Sequence, residues 1–322
     1  MFESFFKSKK WIPWAYGGGL LLLILLCTQV YMSVLLNYWY KDFWNLLEIA
    51  SQSNILEFWH SLIYFAKVVF PYIGSIIVVN FLSRVYALRW REAMSFHFIK
   101  KWMKMDGNIE GASQRIQQDT ESFANIVEGI GLQIARSIMT LIAFIPILWD
   151  LSKFVIIPYL ETIAGSLVWI SLSTSAIALV AAWYVGYYLP GLEFNNQVVE
   201  ARYRKQLVKG EDDRSLIRMP NMLELFAGVR LNYQKLFIHY SYFDLYLNVF
   251  QQTMVLVPFI LMAPGLFSGL FALGIVMQTN NAFTRVNTAL DVVLNNWTTI
   301  NRLRSVVKRL RGFEENLIRQ GH

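Results

Sequence analysis

The chain has 322 residues, of which 55% are hydrophobic and 16% charged, and its mean hydropathy is +0.38. These values lie outside the usual range of soluble domains and make a membrane protein the starting expectation. The net charge of +7 would suggest a nucleic-acid partner only if the long apolar runs were ignored, and the single cysteine, Cys27, excludes an internal disulfide and a cysteine-based metal cluster.

The N-terminus, MFESFFKSKKW followed by WAYGGGLLLLILLCTQV, has the basic-then-apolar order of a secretory signal. It lacks a small-residue cleavage site and its apolar character runs on to Tyr40, so the reading is a retained first span. Residues 11–40 carry no charge, 58–83 only Lys67, 129–149 only Arg136, 162–192 none, and 245–284 none. A membrane helix needs about 20 apolar residues, so the first four runs hold one span each and the last holds two, divided near Pro264-Gly265 and Ser268-Gly269. The expected fold class is an all-α membrane protein with six transmembrane helices at about 14–37, 62–83, 128–149, 163–187, 245–263 and 270–290. The whole chain, 1–322, then forms one transmembrane domain.

Orientation follows from Lys and Arg. Of 29, 24 lie before the first span, between the second and third, between the fourth and fifth, or after the sixth, and two (Lys41 and Lys153) lie in the opposite loops. That asymmetry places both termini and the two long connections in the cytoplasm. The connections, 84–127 and 189–244, read as helical extensions hinged near Asp106-Gly107 and Met219-Pro220, giving a twofold-repetitive arrangement. The aromatic stretch LNYWYKDFWNLL at the external ends of the first two spans reads as an interfacial belt.

Gln114, Gln118, Glu121, Asn125 and Glu128 recur at the spacing of one helix face, which is polar where a packed helix would be apolar. Arg136 is displaced by about 80° from Glu128, so a pair within this helix is not expected. Charges at membrane depth cost about 2.5–3.5 kcal/mol toward lipid, so Glu128 and Arg136 either line a water-filled cavity or reach to the head groups. A second acidic set, Glu193, Glu200 and Glu211, shares a face, and Asp212 and Asp213 follow directly. Crowded carboxylates in a dry cleft would carry protons near neutral pH; on a solvated face they would simply pair with Arg202, Arg204, Lys205 and Lys209.

No G-x-x-x-x-G-K-[S/T], H-E-x-x-H or G-x-S-x-G occurs. No nucleotide loop, zinc-protease site or serine-hydrolase elbow is therefore encoded, and an enzyme, a cofactor and a metal are not expected. The segments RWREAMSFHFIKKW, IEGASQRIQQDTESFA, IMTLIAFIPIL, LPGLEFNNQVVEARYRKQLVKGEDD and NNWTTINRLRSVVKRLRGFE closely resemble the SbmA/BacA family of peptide-antibiotic transporters of Gram-negative inner membranes, from about Trp14 to Leu317. The resemblance implies an ABC-exporter-like transmembrane domain without an ATPase. It also implies a homodimer in the lipid bilayer of the inner membrane that imports peptides or peptide-like antibiotics and is driven by protons.

By resemblance, the proton-coupling carboxylates fall on Glu110 (I-E-G-A), Glu193 (L-E-F), Glu200 (V-E-A-x-Y-R-K) and Glu211 (G-E-D-D). Asp119 belongs to the same set, although Gln117-Gln118-Asp119 stands where the family has Q-E-D. Lys209 replaces a tyrosine beside the G-E-D-D motif. Gln118, Glu121, Asn125, Glu128, Arg136, Lys209, Asp212 and Asp213 are expected to line the cavity. Two rival readings remain: the membrane subunit of an ABC transporter with a separate ATPase, and a non-transporting membrane receptor or assembly factor.

Overall fold

The computed structural model describes residues 2–104, 111–157 and 162–319, with side chains described for all of these except 212, 216, 293, 294, 297, 298, 301, 318 and 319. Among the described residues the chain is helical and holds no strand. Its helices are α1 (Glu3–Phe6), α2 (Gly19–Glu48), α3 (Ile55–Trp102), α4 (Ala112–Gln114), α5 (Thr120–Leu151), α6 (Ser166–Gly186), α7 (Leu189–Asp212), α8 (Met219–Phe267), α9 (Leu273–Leu290), α10 (Val292–Asn295) and α11 (Trp297–Arg319). Five continuous helical stretches are long and apolar enough to cross a membrane: Pro13–Glu48, Ile55–Trp102, Ala112–Phe154, Ser166–Glu211 and Met219–Phe267.

The expected sixth span corresponds to α9, which differs in character. It has 18 residues and carries Gln278, Asn280, Asn281, Arg285 and Asn287, so it does not meet the apolarity of the other five. The break before it falls at Ser268-Gly269, where Gly269 takes φ 69°, while Pro264 stays inside α8. The hinge expected near Asp106-Gly107 lies outside the described residues, and the one near Met219-Pro220 is a turn over 213–218.

The chain divides into two compact units, 1–172 with 258–322, and 173–257. The first unit is built on α2, α3, α5, α9 and α11. Two α3 contacts set the order: Trp39 Nε1 donates to Ser61 Oγ at 2.9 Å, and Tyr86 Oη donates to the Ala15 carbonyl at 3.1 Å, so α2 and α3 run antiparallel. Its core is a cluster of Phe5, Trp90, Met94, Phe98, Phe123, Leu310 and Phe313, with Phe5 stacked on Trp90 at 5.5 Å. α11 joins through Val306, Leu310, Phe313 and Leu317, an apolar stripe at helical spacing beneath a basic outer face.

α9 is held at its start by α2. Asn45 Oδ1 accepts from Gly274 N at 2.8 Å and Glu48 Oε2 from Leu273 N at 2.7 Å, so two free amides at the helix start meet side-chain acceptors and an acidic group. A Cβ at Gly274 would fall 2.0 Å from the Lys41 carbonyl oxygen, which requires glycine there. Deeper in, Asn37 Nδ2 donates to the Gln278 carbonyl at 3.0 Å and to Asn281 Oδ1 at 3.1 Å.

The second unit is an antiparallel helical hairpin. Tyr246 Oη donates to the Ala178 carbonyl at 2.9 Å, Phe243 lies on Gly186, Tyr240 meets Glu193, and the Tyr203 and Phe226 rings sit 5.7 Å apart. At the tip, Ile217 fills the space a Cβ on Gly210 would need.

Candidate functional site

α5 and the turn before it form the wall of a polar groove. Gln118, Glu121, Ser122, Asn125 and Gln133 face Asn296, Thr299 and Arg302 across a cavity of about 550 Å3. Asn296 Nδ2 donates to Gln133 Oε1 at 2.7 Å and ties the two walls together. A second cavity of about 360 Å3 shares Gln118, Ser122 and Arg302 and continues to Asp119 and Arg309. A π-helical turn, Arg115–Asp119, precedes α5, with Asp119 buried and Gln118 on the groove.

The stripe expected from the sequence therefore divides by chemistry. Its amides, Gln118 and Asn125, face the groove. Its acids meet α3: Arg91 Nη2 lies 3.1 Å from Glu121, which also borders the groove, and Ser83 Oγ donates to Glu128 at 2.8 Å. With Ser95 and Thr120 hydroxyls at 3.2 Å, these contacts run antiparallel along α3 and α5. Glu128 does not line the polar groove; it turns to a separate apolar cleft.

Asp119 lies between two arginines. It is buried at 3% exposure, Arg115 Nη1 donates to Oδ2 at 2.7 Å, and Arg309 donates through Nη2 to Oδ1 at 2.7 Å and through Nε to both oxygens. Both oxygens accept from guanidinium groups, so the residue joins the start of α5 to α11 as a paired anion. The partner side of this contact is also perturbed: Asp119 raises the Arg309 guanidinium above its ordinary value.

In the hairpin, Glu193 is half-buried and accepts a hydrogen bond from the Tyr240 hydroxyl. Glu200, two turns on, is half-buried, while Lys209, Glu211 and Asp213 are exposed. The Ser215 amide donates to Asp213 Oδ1 at 2.9 Å and holds that carboxyl below the usual range. The shared face of Glu193, Glu200 and Glu211 thus runs from a half-buried contact to an exposed end and does not gather them at one point. Glu110 lies outside the described residues, as does the Asp212 side chain.

Several polar residues were not singled out from the sequence. Gln29, Ser33 and Asn37 are buried at four-residue spacing on α2, and Gln29 Nε2, Asn37 Oδ1 and Asn280 Oδ1 are buried without a hydrogen-bond partner among the described residues, as are Nε and Nη2 of Arg136, a residue the sequence did single out. The four-residue period was readable; its burial was not, because polarity alone does not tell a helix interface from a cavity. Asp291, at the end of α9, is half-buried, and burial raises its carboxyl above the ordinary value. Among the described residues no group of three or more His, Cys, Asp or Glu could hold a metal.

Five helical stretches long and apolar enough to cross a membrane, with a polar groove inside one unit, define a multi-pass helical membrane protein. The chain belongs to the SbmA/BacA-like family, whose model matches residues 8–318. It is 25% identical to an uncharacterized ABC transporter ATP-binding protein of Synechocystis, over 96% of this chain and 47% of that protein. It is 22% identical to the inner membrane ABC transporter ATP-binding protein YddA of Escherichia coli, over 92% and 56% respectively. Similarity extends to ABC transporter D family member 2, chloroplastic, of Arabidopsis thaliana, 24% identical over 89% of this chain and 41% of the relative. The chain spans about half the length of the curated relatives it matches.

Proposed function

We propose that the chain is a carrier rather than an enzyme, importing peptides or peptide-like antibiotics across the bacterial inner membrane, and that the proton gradient drives it. The observation that carries this reading is the amide-lined groove between α5 and α11 in a chain of a transporter family. Gln and Asn side chains each present donors and an acceptor, the same set as a peptide bond, so such a lining can hold a peptide backbone with little regard to its side chains.

In this reading α9 is the sixth span, both termini are cytoplasmic, and two copies form a homodimer. The hairpin supports the dimer: Phe194, Leu223, Phe237 and Tyr242 are each more than half exposed along 189–244, beyond the apolar runs, and ask for a covering surface. Glu193, Glu200 and Glu211 then serve as the proton-coupling set, with Glu193 accepting from the Tyr240 hydroxyl. The driving force is sufficient in scale, at about 2.3 kcal/mol per charge per 100 mV and about 1.4 kcal/mol per pH unit.

A second reading, favoured by the names of the curated relatives, is the membrane portion of an ATP-driven transporter. Uptake of a fluorescent cationic peptide into proteoliposomes separates the two. The proton reading expects uptake under an inward proton gradient without ATP, abolished by a protonophore and strongly reduced in Glu200→Gln. Under the second reading this chain alone, which encodes no nucleotide loop, shows no uptake under the gradient and gains ATP-dependent uptake only when an ATP-binding partner is reconstituted with it; no uptake in either preparation would remove both.

A further inference from the structure

On the side of α5 away from the amide-lined groove lies an apolar cleft of about 460 Å3. Tyr16, Leu20, Leu23 and Leu26 form one wall, Trp90 and Leu132 contribute to the other, and among the described residues Glu128 is the one charged residue lining it. Ser83, 3% exposed, donates to Glu128 Oε1 at 2.8 Å and fixes the carboxylate. Among the described residues no basic side chain pairs with Glu128, and Oε2 has no donor.

The depth of that carboxylate follows from α3. Tyr86 touches Ala15, and Ser83, one turn earlier on α3, touches Glu128. Glu128 is therefore level with about Gly18-Gly19, seven or eight residues inside the uncharged run that begins at 11, which puts it about 10–12 Å in, at the inner edge of the head-group layer. The leucine wall continues from there to Leu26, about 10 Å further at 1.5 Å per residue. Tyr16, Leu20 and Leu23 are 59%, 59% and 45% exposed, so the cleft is open along the surface that hydrocarbon covers in a bilayer.

We propose that this cleft is a site for a phospholipid with a primary ammonium head group, its ammonium on Glu128 and an acyl chain along Leu20, Leu23 and Leu26. A carboxylate without a counter-charge at this depth is costly, and an ammonium offsets it with a charge-assisted hydrogen bond to Oε2. An anionic head group meets like charge. A choline head carries the cation but no N–H to donate, so ethanolamine lipids are selected over both.

Native mass spectrometry of the full chain in detergent tests the site, with dioleoyl phosphatidylethanolamine, phosphatidylcholine and phosphatidylglycerol offered at equal concentration. The expected result is retention of the ethanolamine lipid about tenfold above the glycerol lipid, equivalent to about 1.4 kcal/mol. Glu128→Gln should erase that preference while total lipid retention stays. Gly131→Leu should lower retention of all three, since a Cβ at Gly131 has no atom within 4 Å and the added side chain enters open cleft. Equal retention of the three lipids by the unaltered protein, or an unchanged preference in Glu128→Gln, overturns the proposal. The experiment does not involve uptake, so its outcome leaves the transport reading untouched.

Discussion

The two units bury their side chains in different ways. The unit of 1–172 and 258–322 encloses aromatic rings completely, with Phe5, Phe98, Phe123 and Phe283 at 0–1% exposure. The hairpin of 173–257 buries mainly small or medium residues, such as Ser175, Ala178, Ala182 and Val229, and leaves large apolar ones outside. Helix pairs can meet closely through small residues but cannot enclose a bulky side chain, since a third element is needed to cover it. The first unit is thus self-supporting, and the hairpin depends on what surrounds it.

The largest effect that could break this contrast is expected at Phe98, packed on Phe313 at 5.5 Å in the enclosed cluster. Phe98→Ala should cost about 3–5 kcal/mol, read as a lowered thermal midpoint in detergent. Next is Asp119→Asn, which leaves two guanidinium groups facing an uncharged amide. A fully buried pair would lose about 3–5 kcal/mol, and because the Arg115 and Arg309 side chains keep 29% and 41% exposure, about 2–3 kcal/mol is expected. A double variant that also replaces Arg309 should recover part of that loss.

Gly274→Ala should cost about 1–3 kcal/mol, because the added Cβ meets backbone that cannot rotate away and α9 must shift from α2. In the hairpin, Leu223→Ala should change the stability of a single chain by less than about 0.5 kcal/mol, being 65% exposed. If a second copy covers this face, the same variant should weaken self-association in light scattering. The smallest effect is expected at Asp291. Its folded-state carboxyl is raised above 3.8 by burial, so the folded chain binds that proton more tightly than the unfolded chain, and stability falls as pH rises from about 3.8 through the raised value. Asp291→Asn should flatten that part of the melting profile.

The first four apolar runs were legible because a membrane span is a one-dimensional property: length and absence of charge suffice. The groove was legible only in part. Gln118, Glu121 and Asn125 announced a polar face by their spacing, but the α11 wall of Asn296, Thr299 and Arg302 comes from a segment more than 160 residues away in sequence. Nothing local in either segment pairs them. The pairing of Asp119 was illegible for the same reason, since one of its two arginine partners, Arg309, is remote along the chain.

Sequence alone determined that this chain is a multi-pass helical membrane protein and which family it resembles, because hydropathy, charge placement and motif identity are properties of consecutive residues. Tertiary structure alone decided which polar residues face a cavity, which lock helices together, and that Glu128, with Ser83 as its donor, lies in an apolar cleft. Burial and charge pairing depend on which helices meet, and helices that meet here are joined by contacts far apart in the chain.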